Sequence, residues 1–315
     1  QADPTSSSPV LFSLSGNETL DSATITSADF TITNGTYTSL SGSGSSYTIS
    51  VTPSGSGAVT IAPSGAFSIA DTAGNAATTA GGSDRSVTYD TAKPTVSWSN
   101  TPSSPNKNTS VQYTLTFSES VTGVAAGDFS NLGSATGCTF APGADTGTTR
   151  TVTISNCSEG TLQPRFAANG ATNSLSVTGP TSAVDGGTIT LDRTAPTLTL
   201  QQAGGQSDPT NQTPIQFTLS GNENLDEATI AAGDFTITNG SYDSKSGSGT
   251  TWTINVTPSG QGAVTIAPSA GFSVTDTAGN AATTAGGADR SVTYDTVKPT
   301  ASWSNTPSSP NKNTS

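Results

Sequence analysis

Along the whole chain, apolar residues alternate with Ser, Thr and Asn in short runs, separated by clusters of Gly, Pro, Asn and Asp. Alternation of period two marks a strand with one face buried, and no stretch carries the 3.6-residue period of a helix. In the first third the runs are Val10-Leu11-Phe12-Ser13-Leu14, Asp29-Phe30-Thr31-Ile32-Thr33, a stretch over 36–40, Tyr47-Thr48-Ile49-Ser50-Val51, Ala58-Val59-Thr60-Ile61-Ala62, Phe67-Ser68-Ile69 and Ser86-Val87-Thr88-Tyr89. Asn34-Gly35 between two of them is a turn dipeptide suited to a type I′ hairpin. About seven short strands with turns every ~8–12 residues predict an all-β chain of tandem immunoglobulin-like β-sandwich domains in an extended array.

One junction punctuates this pattern three times: Asp90-Thr91-Ala92-Lys93-Pro94, Asp192-Arg193-Thr194-Ala195-Pro196 and Asp295-Thr296-Val297-Lys298-Pro299. A strand-like run precedes and follows each copy. Proline cannot donate to a ladder and pushes the residue before it towards extended backbone, so each junction reads as a short, stiff tether between domains. Residues 1–110 recur as 206–315 with roughly three quarters of positions identical, the mark of a long-period tandem array. The expected division is an A-type repeat over 1–93 lacking its first strand, a B-type repeat over 94–196, a second A-type repeat over 197–298, and a restart of type B over 299–315. On this phase the chain is expected to be an excerpt of a longer array. A subunit that lends its end strand to a neighbour is the alternative. Type B lacks the Asp-Thr-Ala-Gly-Asn loop that type A carries at Asp71 and Asp276, and has Asp185-Gly186-Gly187 before its last strand instead.

Composition sharpens the picture in three ways. Leu, Ile, Val and Phe make up roughly 16% of the chain, below the ~20% at which disorder is the usual reading; only the regular alternation overrules it, and the cores are expected to be thin. The net charge is −12, with 10% of residues charged. A sparse negative surface disfavours nucleic acid, whose binding rests on Lys and Arg at phosphates, and adsorption to anionic lipid. No apolar stretch approaches the ~20 residues of a membrane span, so no membrane insertion is expected. Cys138 and Cys157 flank a strand-like run, and a bridge between them is expected to be worth ~3 kcal/mol in the chain-entropy model. With it goes an oxidising, extracellular or cell-surface location.

Five marks in fixed order resemble the bacterial Ig-like (Big) repeat domains of large secreted surface adhesins and fibres. They are Ser118-Glu119-Ser120-Val121-Thr122-Gly123, the Asp-Phe strand start (Asp29, Asp128, Asp234), the Thr-Asn-Gly turn, the Asp-x-Ala-Gly-Asn loop and the Asp-x-x-x-Pro tether. In type A the first mark is altered to Gly16-Asn17-Glu18-Thr19-Leu20. The resemblance implies a stalk or adhesive array with Ca²⁺ at its junctions. Acids recurring at matched places are the candidate ligands: Asp90, Asp192 and Asp295 in the tethers, Glu18, Glu119 and Glu223 behind an early strand, Asp29, Asp128 and Asp234, and Asp71 and Asp276 in the loops. Ca²⁺ takes six to eight oxygens, which loop carboxylates and carbonyls supply. The alternative is that Asp sits in turns because its side chain bonds local backbone N–H groups.

Catalysis has little to stand on. The chain has no His, and Lys93, Lys107, Lys245, Lys298 and Lys312 form no Ser–Lys motif. No enzyme is expected. The expected role is a stalk or spacer of an exported surface fibre, with neighbouring repeats of the same chain as its partners. The rivals are a module that binds glycan or another cell surface, and a subunit that assembles with other copies into a filament or sheath. Trp98, Trp252 and Trp303 are candidates for stacking on sugar, although Trp252 stands in an alternating strand where Tyr47 stands in the first repeat and is expected to be core.

Overall fold

The computed structural model of the chain describes residues 1–144 and 147–304. The type B restart over 299–315 therefore lies outside the described residues beyond Ser304, as does Lys312. The fold is all-β: among the described residues the only helical elements are five single 3-10 turns. The chain divides into two units, Gln1–Ser103 with Thr109–Thr190, and Ser104–Asn108 with Leu191–Ser315.

In the second unit a five-stranded sheet runs in the order Gly240–Ser248, Thr251–Pro258, Ile215–Gly221, Leu198–Gln202, Ala285–Gly286. A three-stranded sheet, Phe235–Thr238, Gly262–Pro268, Ser291–Tyr294, supplies the other apolar layer. The alternation seen in the sequence becomes literal burial here: Leu198, Leu200, Ile215, Phe217, Leu219, Trp252, Ile254 and Val256 from one sheet meet Val264, Ile266 and Val292 from the other in a single core. Trp252 is 4% exposed and is core, as its place in the pattern predicts. Lys245, which replaces Leu40 of the first repeat, lies over the Trp252 ring and donates to the carbonyls of Glu227 and Ile230.

The first unit holds the other A-type repeat and the body of the B-type repeat. Here the A-type sheets are Val10–Ser15, Ser46–Pro53, Gly35–Ser43 and Phe30–Thr33, Gly57–Pro63, Ser86–Tyr89. Asn34-Gly35 is not a hairpin turn. The strands on either side of it belong to different sheets, so the dipeptide carries the chain across the sandwich. A type I′ turn needs positive φ at both central residues, and only Asn34 has it, at 56°. Gly35 is there for close approach instead: a Cβ would stand 2.7 Å from Val51 Cγ1. Asn34 Nδ2 donates to Gly55 O at 2.9 Å, and Asn239 Nδ2 does the same to Gly260 O.

The B-type body pairs Thr139–Pro142, Thr149–Ser155, Ser110–Phe117 and Val96–Ser99 in one sheet. Cys138 and Cys157 are disulfide-bonded and close the open end of the hairpin between the first two of these strands. Trp98, Tyr113, Phe117, Phe129, Phe140 and Phe166 make a ring-on-ring core. Arg150 faces Leu115 where Tyr47 faces Leu14 and Trp252 faces Leu219. It is fully buried and donates to the carbonyls of Val121 and Thr149.

Candidate metal centre at the repeat joints

Each tether begins in the same way. Its aspartate follows the last strand of a repeat, and its N–H is taken by a carbonyl near the start of that repeat: Asp90 to Thr5, Asp192 to Asn106, Asp295 to Thr210, at 2.8–3.0 Å. A parallel bridge fixes the same place, Thr5 with Tyr89, Asn106 with Leu191, Thr210 with Tyr294. The carboxylate then accepts from the residue two further on: Asp90 from Ala92, Asp192 from Thr194, Asp295 from Val297. These are Asx turns, the local role open to any aspartate at a strand end. The sequence had shown no reason for the Thr5, Asn106 and Thr210 partners, which lie some 85 residues upstream. The one available signal was the shared X-Pro step before each of them.

Two tethers are also clamped at their far end. Thr95 N–H donates to Ser118 Oγ and Ser118 N–H returns to Thr95 O, both at 3.0 Å. Thr197 N–H donates to Asn222 Oδ1 at 2.7 Å and Asn222 N–H returns to Thr197 O at 3.2 Å.

In the second unit the tether, the turn after Ile215–Gly221 and the late loop converge. One oxygen each of Asp192, Glu223 and Asp276 lie within 4.8 Å of one another. Asp276 is buried; it accepts from Asn280 N–H and from Asn280 Nδ2, which also donates to Asp192 O at 3.0 Å. Lys107 Nζ donates to Gly279 O at 2.6 Å on the rim of the same loop. Three carboxylates from separated stretches, with carbonyls beside them, form a hard-oxygen donor set that suits Ca²⁺.

The first unit builds a comparable loop from different residues. Type B does have the late loop, contrary to the sequence reading, but in disguise. Asn173 N–H bonds Val177 O and Ser176 N–H bonds Asn173 O, as Asp276 bonds Asn280 and Gly279 bonds Asp276. Ser176 takes the positive φ of Gly279, 63° against 89°. Asn173 Oδ1 accepts from Leu175 and Val177, so an amide oxygen takes the carboxylate's place in the loop. No residue of the motif is identical, which is why only hydrogen bonding exposes the match. Asn173 Nδ2 donates to Glu119 Oε2 at 3.2 Å. Ser6 Oγ reaches Leu175 O at 2.6 Å, where Lys107 reaches Gly279 in the second unit.

The other acids are placed as turn anchors. Asp29 is buried and accepts from Thr26 N–H, Thr26 Oγ1 and Ser68 N–H. Burial by itself would raise its pKa, but the bonds from Ser68 and Thr26 outweigh it and hold the carboxyl below its ordinary value. Asp234 accepts from Ala231 and Ser273, and Asp128 from Ala125. Asp71 accepts from Asn75 Nδ2, Asn75 N–H and Ala73 N–H, and the Asn75 amide first of all keeps its pKa low. Glu18 lies just before Leu20, which bridges Asp71. Among the described residues, Asp192, Glu223 and Asp276 are the acids drawn into one cluster. Asp185 pairs instead with Arg165, at 2.6 Å on the surface.

No protein-family model matches this chain, and no curated protein matches it.

Proposed function

We propose that the chain is a stalk segment of an exported bacterial surface fibre, made of tandem immunoglobulin-like repeats that act as spacers. The observation that carries this reading is the tether held at both ends: Asp90 N–H on Thr5 O and Thr95 on Ser118, then Asp192 N–H on Asn106 O and Thr197 on Asn222. A linker hydrogen-bonded at both of its ends restricts tilt, which is what a spacer requires. Ca²⁺ on Asp192, Glu223 and Asp276 would tie the tether to the late loop and restrict that joint further. The Cys138–Cys157 bridge suits an oxidising, extracellular setting.

Small-angle scattering of the whole chain with Ca²⁺ and with EDTA tests the reading. A long maximum dimension that persists with concentration, and greater flexibility in EDTA, are expected. A compact particle with repeats folded back on one another would overturn the stalk. A glycan array and electron microscopy separate the rivals. Among the tryptophans, Trp252 is core and Trp98 is half-buried with Nε1 on Val184 O, leaving Trp303 open to a sugar ring.

A further inference from the structure

The B-type repeat departs from the A type on one flank of its sandwich. In the first A-type repeat Asn34 alone separates Phe30–Thr33 of one sheet from Gly35–Ser43 of the other. The B-type repeat sets the longer segment 132–138 between Phe129–Asn131 and Thr139–Pro142, which also belong to different sheets. This loop is held from within. Asn131 Nδ2 donates to Ala135 O at 2.7 Å, while Asn131 Oδ1 accepts from Gly133 N–H at 2.9 Å and Gln163 N–H at 2.8 Å. Ala135 is buried and its N–H donates to Thr161 O at 2.9 Å. The Cys138–Cys157 bridge ties down the end of the loop.

Between the loop and the 3-10 turn Ala126–Asp128 lies an open groove. Its walls include Ala126, Gly127, Ser130, Ala135, Gly137 and Thr139, and its floor is the stacked pair Phe129 and Phe140, with ring centroids 5.8 Å apart. Among the described residues, those that line it carry no charge, in a chain of net charge −12. Both bordering strands stand at the ends of their sheets. Leu132 N–H donates to Gln163 O and Ala167 N–H to Asp128 O, so Ser130, midway between them, faces its partner Arg165. Asn131 therefore turns its own N–H and C=O to the open edge. Gly143 N–H donates to Thr151 O, and the same alternation turns the N–H and C=O of Phe140 outward.

We propose that this groove binds one neutral sugar residue, a hexopyranose ring of a glycan. Sugar hydroxyls each donate and accept, which suits polar groups that stand apart: the Ser130 and Thr139 hydroxyls and the main-chain groups of Asn131 and Phe140. Asn156 Nδ2 donates to Thr139 Oγ1 at 3.2 Å, which leaves the Thr139 O–H to donate to the ligand. A charged ligand would lose water against walls that return no counter-charge. An extended peptide fits less well. Strand addition uses a run of outward N–H and C=O groups, and Thr139–Pro142 ends in a proline without N–H after the single outward pair of Phe140. Phe129 and Phe140 are each 8% exposed, so hydrogen bonds carry the recognition and an affinity of about millimolar is expected. The bonds of Asn131 and the disulfide fix the loop beforehand, so little ordering is lost on binding. The proposal does not rest on the stalk reading, which concerns the tethers.

The test titrates the whole chain with the methyl glycosides of glucose, galactose, mannose and N-acetylglucosamine, followed by saturation-transfer NMR and by amide chemical shifts. Saturable binding of at least one of them is expected, with shifts concentrated in Phe129–Asn131 and Thr139–Pro142. Ser130→Ala, at an exposed hydroxyl, should weaken it about two- to tenfold. Gly127→Trp should abolish it, because a Cβ at Gly127 meets nothing within 4 Å and the ring is free to cover the groove. Melting temperatures show whether each variant is folded, and Ser130→Ala decides the matter if Gly127→Trp is not. Absence of binding by all four glycosides, unweakened binding by the folded variants, or shifts confined to the A-type repeats would each overturn the proposal. So would tighter binding of methyl glucuronide, which is charged. Tighter binding of a tetra-alanine peptide, with shifts along Thr139–Pro142, would also overturn it and make this edge a site for strand addition.

Discussion

Asn173 holds the late loop of the B-type repeat through the same backbone bonds by which Asp276 holds the loop of the second A-type repeat. The exchange of an amide for a carboxylate leaves the loop intact and changes what surrounds it. Beside Asn173 an amide N–H satisfies Glu119; beside Asp276 a second and a third carboxylate gather.

This relationship makes the proposed cation site separable from the fold. Asp276→Asn is expected to keep the loop, since Asn173 shows that an amide can hold it, and to abolish any rise in Tm on adding Ca²⁺. Asn173→Asp should give the first joint a Ca²⁺ response it otherwise lacks. Calorimetry in EDTA and in Ca²⁺ reads both variants. A Tm of the unaltered chain that does not move with Ca²⁺ would remove the metal from the second joint.

Closing the core with Leu198 and Leu200 should show as local stability. Leu200→Ala removes a fully buried side chain between two sheets and is expected to cost about 2–5 kcal/mol in the second A-type repeat. In the unaltered chain, amides of Val10–Ser15 should exchange faster than those of Ile215–Gly221. Hydrogen exchange monitored by mass spectrometry checks this, and equal protection of the two strands would contradict it.

Asp29 predicts an acid-labile anchor. Its folded pKa lies below the unfolded value of 3.8, so the stabilisation is present above that value and is lost as pH falls through the folded pKa. Asp29→Ala removes the buried carboxylate that accepts from the Thr26 and Ser68 N–H groups and is expected to cost about 1–3 kcal/mol at neutral pH. The difference between variant and parent should vanish in strong acid. Denaturant melts at several pH values measure it.

Reduction of the Cys138–Cys157 bridge frees the open end of one hairpin and is expected to cost ~3 kcal/mol in the chain-entropy model. The loss should fall on the B-type repeat and spare the A-type cores. Melting with and without reductant, read by exchange in Thr139–Pro142 against Ile215–Gly221, tests that assignment.

Period-two alternation was enough to declare the strands, because burial of one sheet face is a local property of every second residue. The internal repeat and its Asp-x-x-x-Pro punctuation were equally plain, since both are written in the residue order itself. What no short stretch encoded was which strands share a sheet. Asn34-Gly35 reads as a hairpin and is a crossover, and that choice rests on Val51 and Gly55, more than ten residues away. Nor did the sequence distinguish acids that anchor turns from acids that meet. Asp29 and Asp276 look alike in the chain, but one is surrounded by N–H donors from two turns and the other faces Glu223 and Asp192 across a joint. Residue order alone settled the repeating β pattern and its punctuation, because those depend on neighbours. The trio of carboxylates depends on distant segments arriving at one place, and only the packed chain decides that.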